Sequence, residues 1–277
     1  DDGNPLKDAH GADVMQDAKI FRYQIYRLFG GNDHASMDIQ PDWHLHQGYL
    51  GSIYSGANFG KMTYYEPGEG GADPKGLSIT IDAPKLHAYA LYGGGRVGDI
   101  DPKRTDADGV LHDLTDSEMQ GLYGATLIVR DGVIDHVYGG NDVSGEVKHG
   151  TRVAIYGSIS GDVYCAGNGN YLYQYDPTNT SGVIGEYYHS ETGERIFVLP
   201  RKEGYYNNAP GAESGDISNA LRVMAINSYR PNVNRSKLTI EGKEEGGNVI
   251  PAYVHGSIYM GGNSATVSAN LSDGELD

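Results

Sequence analysis

Aromatic side chains that stand next to each other in loop-like stretches are the residues of this chain best suited to bind a ligand. A flat ring stacks on the apolar C–H face of a sugar, and nearby carboxylates or amides bind the sugar hydroxyls. Adjacent residues of a strand point to opposite faces, so such a pair cannot enter one core together. The candidate ligand-binding residues are Trp43, Tyr64, Tyr65, Tyr205 and Tyr206, and Tyr187-Tyr188 is a further pair of this kind. The alternative interpretation is that these rings only cover loops, with their hydroxyl groups in water.

A second group of candidates is acidic and lies within one short stretch of chain. Carboxylates are ligands that Ca²⁺ prefers in proteins. An EF-hand loop that ended at residue 115 would place Arg104 at its first ligand position and Thr115 at its twelfth, where a Glu is needed. The spacing therefore favours an Asp-rich turn over a calcium site. The carboxylates in question are Asp99, Asp101, Asp106 and Asp108.

Histidine and cysteine provide no recognisable metal or catalytic motif. His44 and His46 are spaced to lie on one strand face and His34 is nearby, but a zinc site needs a third ligand held in place. The single cysteine, Cys165, lies inside a Gly-rich turn, and nothing local would depress its pKa. No nucleophile–base pair, cofactor-binding loop or H-E-x-x-H motif can be read in the sequence. The sequence therefore predicts no catalytic residues, no metal and no cofactor.

A short repeat in the sequence indicates the strands and turns that position these residues. Six times the chain has an aliphatic residue, an aromatic residue and a small Gly-rich turn, and each turn but one carries an Asn. A short strand that ends repeatedly in the same turn is typical of a solenoid, in which each coil buries its apolar face against its neighbours. The six turns begin at Leu28, Ile53, Leu91, Val137, Val163 and Ile258.

The spacing of the turns sets the expected length of one coil. The intervals from Leu28 to Ile53 and from Val137 to Val163 are 25 and 26 residues. Such a coil accommodates three strands of about five residues with their turns. We expect like positions of successive coils to share one buried stripe, so the six aliphatic residues that begin the turns should be buried in line. Stacked Asn side chains are expected to bond along the coils and to satisfy backbone groups of the turns.

The longer intervals indicate insertions into the same coil. The predicted architecture is all-β, a single right-handed parallel β-helix (β-solenoid) with an entry or capping segment at 1–27. The β-helix at 28–277 carries loop insertions at 66–76, 99–124 and 176–235. Thr115 and Glu118 form a capping box that predicts a short helix at about 115–123. A second short helix is predicted near 217–229, although a strand at 221–226 explains that pattern nearly as well.

Charge excludes two classes of partner. The chain has 21 Lys and Arg against 37 Asp and Glu, and its net charge of −16 repels a nucleic-acid backbone. The same charge gives no polybasic attraction to an anionic membrane surface, and no apolar run is long enough to insert into a bilayer. A glycan partner is therefore expected to be neutral or cationic, and a protein partner is the other possibility.

Two of the turns carry a resemblance to a known group of proteins. The runs Val137-Tyr138-Gly139-Gly140-Asn141 and Gly256-Ser257-Ile258-Tyr259-Met260-Gly261-Gly262-Asn263 resemble the repeated turn of adhesin-like, right-handed β-helix surface proteins of gut Bacteroidetes. Arg96 departs from the pattern, because it stands where the other turns carry Asn. The resemblance implies a secreted or cell-surface protein, associated with the outer membrane.

Three functions remain open at this point. The first is a non-catalytic adhesin-like module that binds a glycan or a host or bacterial surface protein. The second is a β-helix carbohydrate-active enzyme, either a polysaccharide lyase or a glycoside hydrolase. The third is a structural spacer. Insertions that converge on one side of the coils would favour a binding or catalytic cleft over a spacer.

Overall fold

The computed structural model describes residues 25–170, 173–176, 186–189, 195–197 and 230–267, which are almost entirely strands and turns. Their one helix, α1, is short and spans Asp116–Met119. The strands are β1 (Ile25–Phe29), β2 (Gln47–Tyr54), β3 (Leu77–Tyr92), β4 (Arg104–Thr105), β5 (Leu111–His112), β6 (Ala125–Tyr138), β7 (Glu146–Val147), β8 (Thr151–Ile155), β9 (Ser158–Ile159), β10 (Val163–Tyr164), β11 (Tyr173–Asp176), β12 (Glu186–His189), β13 (Arg195–Phe197), β14 (Asn232–Val233), β15 (Ser236–Ile240), β16 (Lys243–Glu245), β17 (Asn248–Ile250), β18 (Tyr253–Val254), β19 (Ile258–Tyr259) and β20 (Thr266–Val267).

The main sheet is parallel and contains all six predicted turns in register. Its strands follow the order β1-β2-β3-β6-β10-β19. The pairing places the aliphatic residues that begin the turns directly opposite one another, as the repeat predicts. Backbone bonds continue the pairing into the turns: the Gly56 N–H donates to Gly94 O at 3.0 Å, and the Gly94 N–H to Gly140 O at 3.2 Å. The departure at Arg96 therefore does not interrupt the stacking.

A second parallel column of pairs follows the turns, a few residues after each turn except the fifth, where it lies beyond the long interval. Met37, Met62, Ile100 and Val147 form successive parallel bridges. The column continues through β7, β14 and β20, where Val147 pairs with Val233 and Val233 with Val267 in the same register. Each of the six turns is thus followed by one residue of this column. A regular chain path that returns to both columns in the same order explains why the pattern repeats in the sequence.

Burial follows the pleat of the long strands and defines one main core. In β3 the residues Leu77, Ile79 and Ile81 are buried, while Thr80 and Asp82 are exposed, because successive side chains of a strand face opposite ways. β6, β8 and β15 repeat this pairing beside β3. Most of the buried aliphatic residues of these strands pack into one cluster, while Leu77 and Ala125 join a second cluster with Met62, Ile100, Val147 and Val233.

The predicted stripe is buried in the inner coils and open in the last. Ile53, Leu91, Val137 and Val163 are 0% exposed. Leu28 in the first coil is half-buried, and Ile258 is 42% exposed. The prediction that all six are buried is therefore wrong for Ile258, although its register is correct. The reason is that among the described residues Ile258 has a neighbouring strand on one side only, that of Val163.

In the long interval between the fifth and sixth turns, no described strand joins the turn column. Val163 and Ile258 are direct partners across β10 and β19, although 95 residues separate the coils they belong to. Strands β11, β12 and β13, which lie within this interval, pair antiparallel with one another. Tyr187-Tyr188 lies in β12, a strand and not a loop. The entry segment before residue 25 and the helix predicted at 217–229 lie outside the described residues.

The capping box at Thr115 forms as the sequence predicts. The Glu118 N–H donates to Thr115 Oγ1 at 3.4 Å, and the Thr115 N–H donates to Glu118 Oε2 at 2.8 Å. The helix ends at Met119, earlier than the predicted residue 123, because Gln120 is already extended. Within the described ranges, no helix has the length and apolar character needed to cross a bilayer.

Candidate functional site

The aromatic residues of the six turns form a stacked column. Successive ring centroids lie 4.6, 4.6, 4.8, 5.1 and 4.7 Å apart, and neighbouring planes differ by at most 14°. Parallel strands are spaced by about 4.8 Å, so equivalent rings of neighbouring coils stack face to face. Each inner ring of this column is covered on both faces by neighbouring rings, so neither face is available to a ligand. Its members are Phe29, Tyr54, Tyr92, Tyr138, Tyr164 and Tyr259.

Polar side chains four residues after each aromatic form a second column beside the rings. Asn58 Nδ2 donates to Asp33 Oδ1 at 2.6 Å, and Asn263 Nδ2 donates to Asn168 Oδ1 at 3.1 Å. Asn168 Nδ2 also donates to Asp142 Oδ1 at 2.9 Å. The predicted bond between stacked Asn residues forms between Asn263 and Asn168, whereas Asp33, Arg96 and Asp142 occupy other positions of this column.

Buried charge lies at the centre of this polar column. Arg96 and Asp142 are 3% and 1% exposed and belong to neighbouring coils, joined by the Val143 N–H donating to Arg96 O at 2.8 Å. The Tyr54 hydroxyl donates to Asp142 Oδ2 at 2.7 Å. Burial, and then the Asp142 charge, raise the pKa of Tyr54 well above its usual value. The Tyr54 hydroxyl and the Asp142 carboxylate therefore bind each other inside the protein, which is a structural arrangement.

A cleft accessible to solvent lies where two insertions meet. Loop residues 67–74 form one wall and the residues of α1 with Gln120 form the other, around a volume of about 400 Å³. Two segments separated by about 45 residues of sequence therefore meet at this cleft. The cleft is lined by Tyr65, Pro67, Gly68, Gly71, Ala72, Asp73, Pro74, Ser117, Glu118 and Gln120.

Tyr65 is the one predicted ligand-binding residue among the lining residues of this cleft. Its ring is half-buried, and burial followed by the Glu118 charge raises the pKa of its hydroxyl, which stays a neutral donor. Glu118 accepts hydrogen bonds from the Thr115 backbone and hydroxyl, both at 2.8 Å, and these bonds lower its pKa. Its other oxygen, Oε1, lies 3.4 Å from Arg104 Nε. Glu118 is thus an ionised acceptor held in place.

Tyr64 and Trp43 are not among the residues that line this cleft. The Tyr64 hydroxyl donates to Glu66 Oε2 at 2.7 Å, and burial together with this carboxylate raises the pKa of Tyr64 to about 12. Trp43 is half-buried and packs against the main core. Its indole N–H is buried and has no hydrogen-bond partner among the described residues. Tyr205 and Tyr206 lie outside the described residues.

Several of the acidic and histidine candidates are engaged in local contacts. Asp106 Oδ1 accepts the Asp108 and Val110 N–H groups at 3.0 and 2.9 Å, which is the Asp-rich turn that the spacing favours. Asp106 Oδ2 lies 2.7 Å from His112 Nε2, and this bond with the backbone bonds lowers the pKa of Asp106. His44 pairs with Asp42 at 3.1 Å. In the part of the chain that the structure describes, no group of three or more His, Cys, Asp or Glu is arranged to hold a metal ion.

Sequence reasoning identified the two walls of the cleft but not the cleft. The Pro- and Gly-rich loop and the capping box each have a clear signature, and Tyr65 stands at the start of the loop. Asp73, Ser117 and Gln120 carry no signature of their own, because their role depends on where the two insertions meet. The signal that could have found the cleft is the repeat itself. It predicts which strands are neighbours, and the two insertions follow neighbouring strands.

Comparison with known proteins provides no relative for this chain. No protein-family model, no curated protein and no solved structure matches it.

Proposed function

We propose that this protein is a non-catalytic, adhesin-like binding module, secreted or displayed at the cell surface, whose cleft around Tyr65 binds a glycan. The observation that carries the proposal is the convergence of two insertions on one aromatic ring with polar groups beside it. Tyr65 offers a face for a sugar ring, while Glu118, Asp73 and Gln120 supply acceptors and donors for hydroxyls. This combination of an apolar platform with a few polar groups is typical of sites for small polar ligands.

The scaffold that we propose for this module is one right-handed parallel β-helix. Two parallel columns, each with six members in the same chain order, support it. The third run of parallel pairs, through β3, β6, β8 and β15, supports a third side of the coil. Right-handedness is the expected sense for parallel strands joined within one sheet.

A β-helix enzyme is the alternative that the same cleft must be tested against. Asp73 and Glu118 both line it, and a glycoside hydrolase uses two carboxyl groups across the scissile bond. The general acid of such a pair needs a raised pKa, whereas hydrogen bonds from Thr115 lower the pKa of Glu118. This direction suits a carboxylate that accepts hydroxyl hydrogen bonds and supports binding over hydrolysis.

A glycan array followed by calorimetry with the best neutral oligosaccharide tests the proposal. Tyr65→Ala should weaken binding about fivefold, the loss of one stacked ring worth about 1 kcal/mol. Tyr253→Ala is the matched control, because Tyr253 is 55% exposed on a strand away from the cleft residues. Its affinity should equal that of the natural sequence.

Turnover assays on the same oligosaccharides distinguish the enzyme. Hydrolysis or elimination that disappears in Glu118→Gln or Asp73→Asn would replace the binding proposal with the enzyme. Equal affinity of the Tyr65→Ala variant and the natural sequence would remove the cleft as the binding site.

A further inference from the structure

A cluster of lysines surrounds one buried carboxylate on the second column of the coils. Asp101 Oδ2 lies 2.5 Å from Lys61 Nζ and 3.3 Å from the Nζ atoms of both Lys103 and Lys148. The Asp101 side chain is only 3% exposed, so it cannot leave the cluster without losing buried bonds. The backbone fixes this geometry, because the Asp101 N–H donates to Met62 O and the Lys148 N–H donates to Ile100 O.

The electrostatic balance at Asp101 is positive. Burial disfavours the ionised carboxyl, but the Lys61 hydrogen bond and the charges of Lys148, Lys61 and Lys103 outweigh burial and lower the pKa of Asp101. One negative charge therefore faces three ammonium groups. Among the described residues, the one other acidic partner in the ion pairs of these lysines is Asp113, which contacts Lys103 and whose side chain is 89% exposed.

The lysines retain capacity for a further anion. Each ammonium group has three N–H donors, and the side chains of Lys61 and Lys148 are 40% and 38% exposed. In physiological salt, charges are screened over a length of about 8 Å. The electrostatic potential at this point is therefore set by the local excess of lysine and not by the net charge of −16. A long polyanion would extend over the acidic surface around the cluster and be repelled by it. A single anionic group contacts only the lysines.

We propose that Lys61, Lys103 and Lys148 form an anion-binding subsite for a single carboxylate or sulfate group on a saccharide. The bound group replaces Asp113 at Lys103 and takes the remaining donors of Lys61 and Lys148, while Asp101 holds the three ammonium groups together from below. The subsite adjoins the cleft along the chain: Arg104, next to Lys103, pairs with Glu118 in the wall of the cleft. The saccharide part of this inference rests on the proposed function, and the anion-binding part does not.

Titration of the full chain with sodium glucuronate, sodium sulfate and glucose tests the subsite, with lysine side-chain NMR signals as the readout. Glucuronate or sulfate should shift the Lys61, Lys103 and Lys148 signals saturably beyond a sodium chloride control of equal ionic strength. Glucose should leave these signals in place. The relative affinities of the two anions identify carboxylate or sulfate as the better group.

Four variants complete the test. Lys148→Gln should weaken anion binding about fivefold, and Lys148→Arg, which keeps the charge, should restore most of it. Asp113→Asn should strengthen binding about threefold, because it removes the competing carboxylate at an exposed position that folding does not need. Lys237→Gln, on an exposed strand position away from Asp101, is the control and should have no effect.

Absence of saturable shifts, or equal affinity in Lys148→Gln and Asp113→Asn, would overturn the subsite. Sulfate needs no aromatic ring, so its binding can succeed even where Tyr65→Ala leaves glycan binding unchanged. Failure of this subsite and failure of the glycan cleft are therefore separate results.

Discussion

The turn column and the side with the insertions use similar residues in opposite ways. In the turn column, Tyr54 and Asp142 are almost completely buried and bonded to each other, and rings of successive coils cover one another's faces. On the insertion side, Tyr65 and Glu118 are half-buried around an open cleft. A regular stack occupies its side chains with neighbouring coils, whereas an insertion leaves them available. Function in such a scaffold is therefore expected in the insertions.

The largest expected effect is a difference in stability between substitutions at the same turn position in two repeats. A Cβ at Gly94 would lie 2.1 Å from Asn141 Oδ1 and 2.9 Å from the Asn141 N, whereas a Cβ at Gly261 meets nothing within 4 Å. Gly94→Ala should destabilise the protein by about 3 kcal/mol, because the stacked turn must separate. Gly261→Ala should change stability by less than about 0.5 kcal/mol. Urea unfolding of both variants measures the difference.

Equal stability of the two glycine variants would mean that the inner turns do not stack as closely as described. Ala166 occupies the same turn position in the fifth coil. The position therefore tolerates a methyl group wherever the neighbouring turn leaves room. The loss of stability in Gly94→Ala reports how closely the neighbouring turn packs, and not a requirement of the turn itself for glycine.

The two columns of aliphatic pairs provide the second comparison, between Val163 of the turn column and Val267 at the end of the second column. Val163 is 0% exposed and Val267 is 41% exposed. Val163→Ala should cost about 2 kcal/mol from the lost burial and the remaining cavity, and Val267→Ala about half of that or less. Thermal unfolding of the two variants at the same pH gives the ratio. A larger loss at Val267 would show that the last described coil is more tightly covered than its neighbours.

Acid should act on the lysine cluster before it acts on the aromatic column. The folded-state pKa of Asp101 is lower than its unfolded value of about 3.9. Its contribution is therefore complete above about pH 4 and is lost as the pH falls through the folded-state pKa. We expect urea midpoints to fall below pH 4, and Asp101→Asn to remove part of this dependence at a cost of about 1 kcal/mol at pH 7.

The matching substitution in the aromatic column is Tyr164→Phe. The Tyr164 hydroxyl bonds Asp162 at 3.4 Å, and burial, followed by the Asp162 charge, raises its pKa, so it carries no charge in acid. The pH dependence of this variant below pH 4 should equal that of the natural sequence. A pH profile unchanged in Asp101→Asn would mean that other carboxylates carry the acid sensitivity.

The smallest expected effects distinguish a packing role for Trp43 from a binding role for Tyr65. Trp43 packs on the core near the first coil, and its ring lies 2.7 Å from the position that a Cβ at Gly30 would take. Trp43→Phe should therefore lower the unfolding temperature by a few degrees through lost packing and leave glycan affinity unchanged. Tyr65→Phe should leave stability unchanged and weaken binding only where the hydroxyl contacts the ligand. Loss of affinity in Trp43→Phe would extend the binding site to the first coil.

Regular stacking made much of this fold predictable from sequence. Each coil meets nearly the same neighbours, so the same residue types recur at the same positions, and the repeat alone predicts that Ile53, Leu91 and Val137 lie in one line. The capping box at Thr115 was equally predictable, because both of its bonds join residues three apart. The extent of burial was not predictable at Ile258, since a repeat pattern does not say which coil is the last one covered.

The sequence by itself determined the repeat, the register of the turns and the two insertions, because these depend on local pattern and on contacts between identical positions. Only the tertiary structure decided that the insertions meet at Tyr65 and that Lys61, Lys103 and Lys148 converge on Asp101. The sequence does not mark these residues as members of a repeat, and their contacts arise only when parallel strands from different parts of the chain lie about 4.8 Å apart. A side chain inside the repeat is fixed by the repeat, whereas one outside it is fixed by whatever the stacked coils bring beside it.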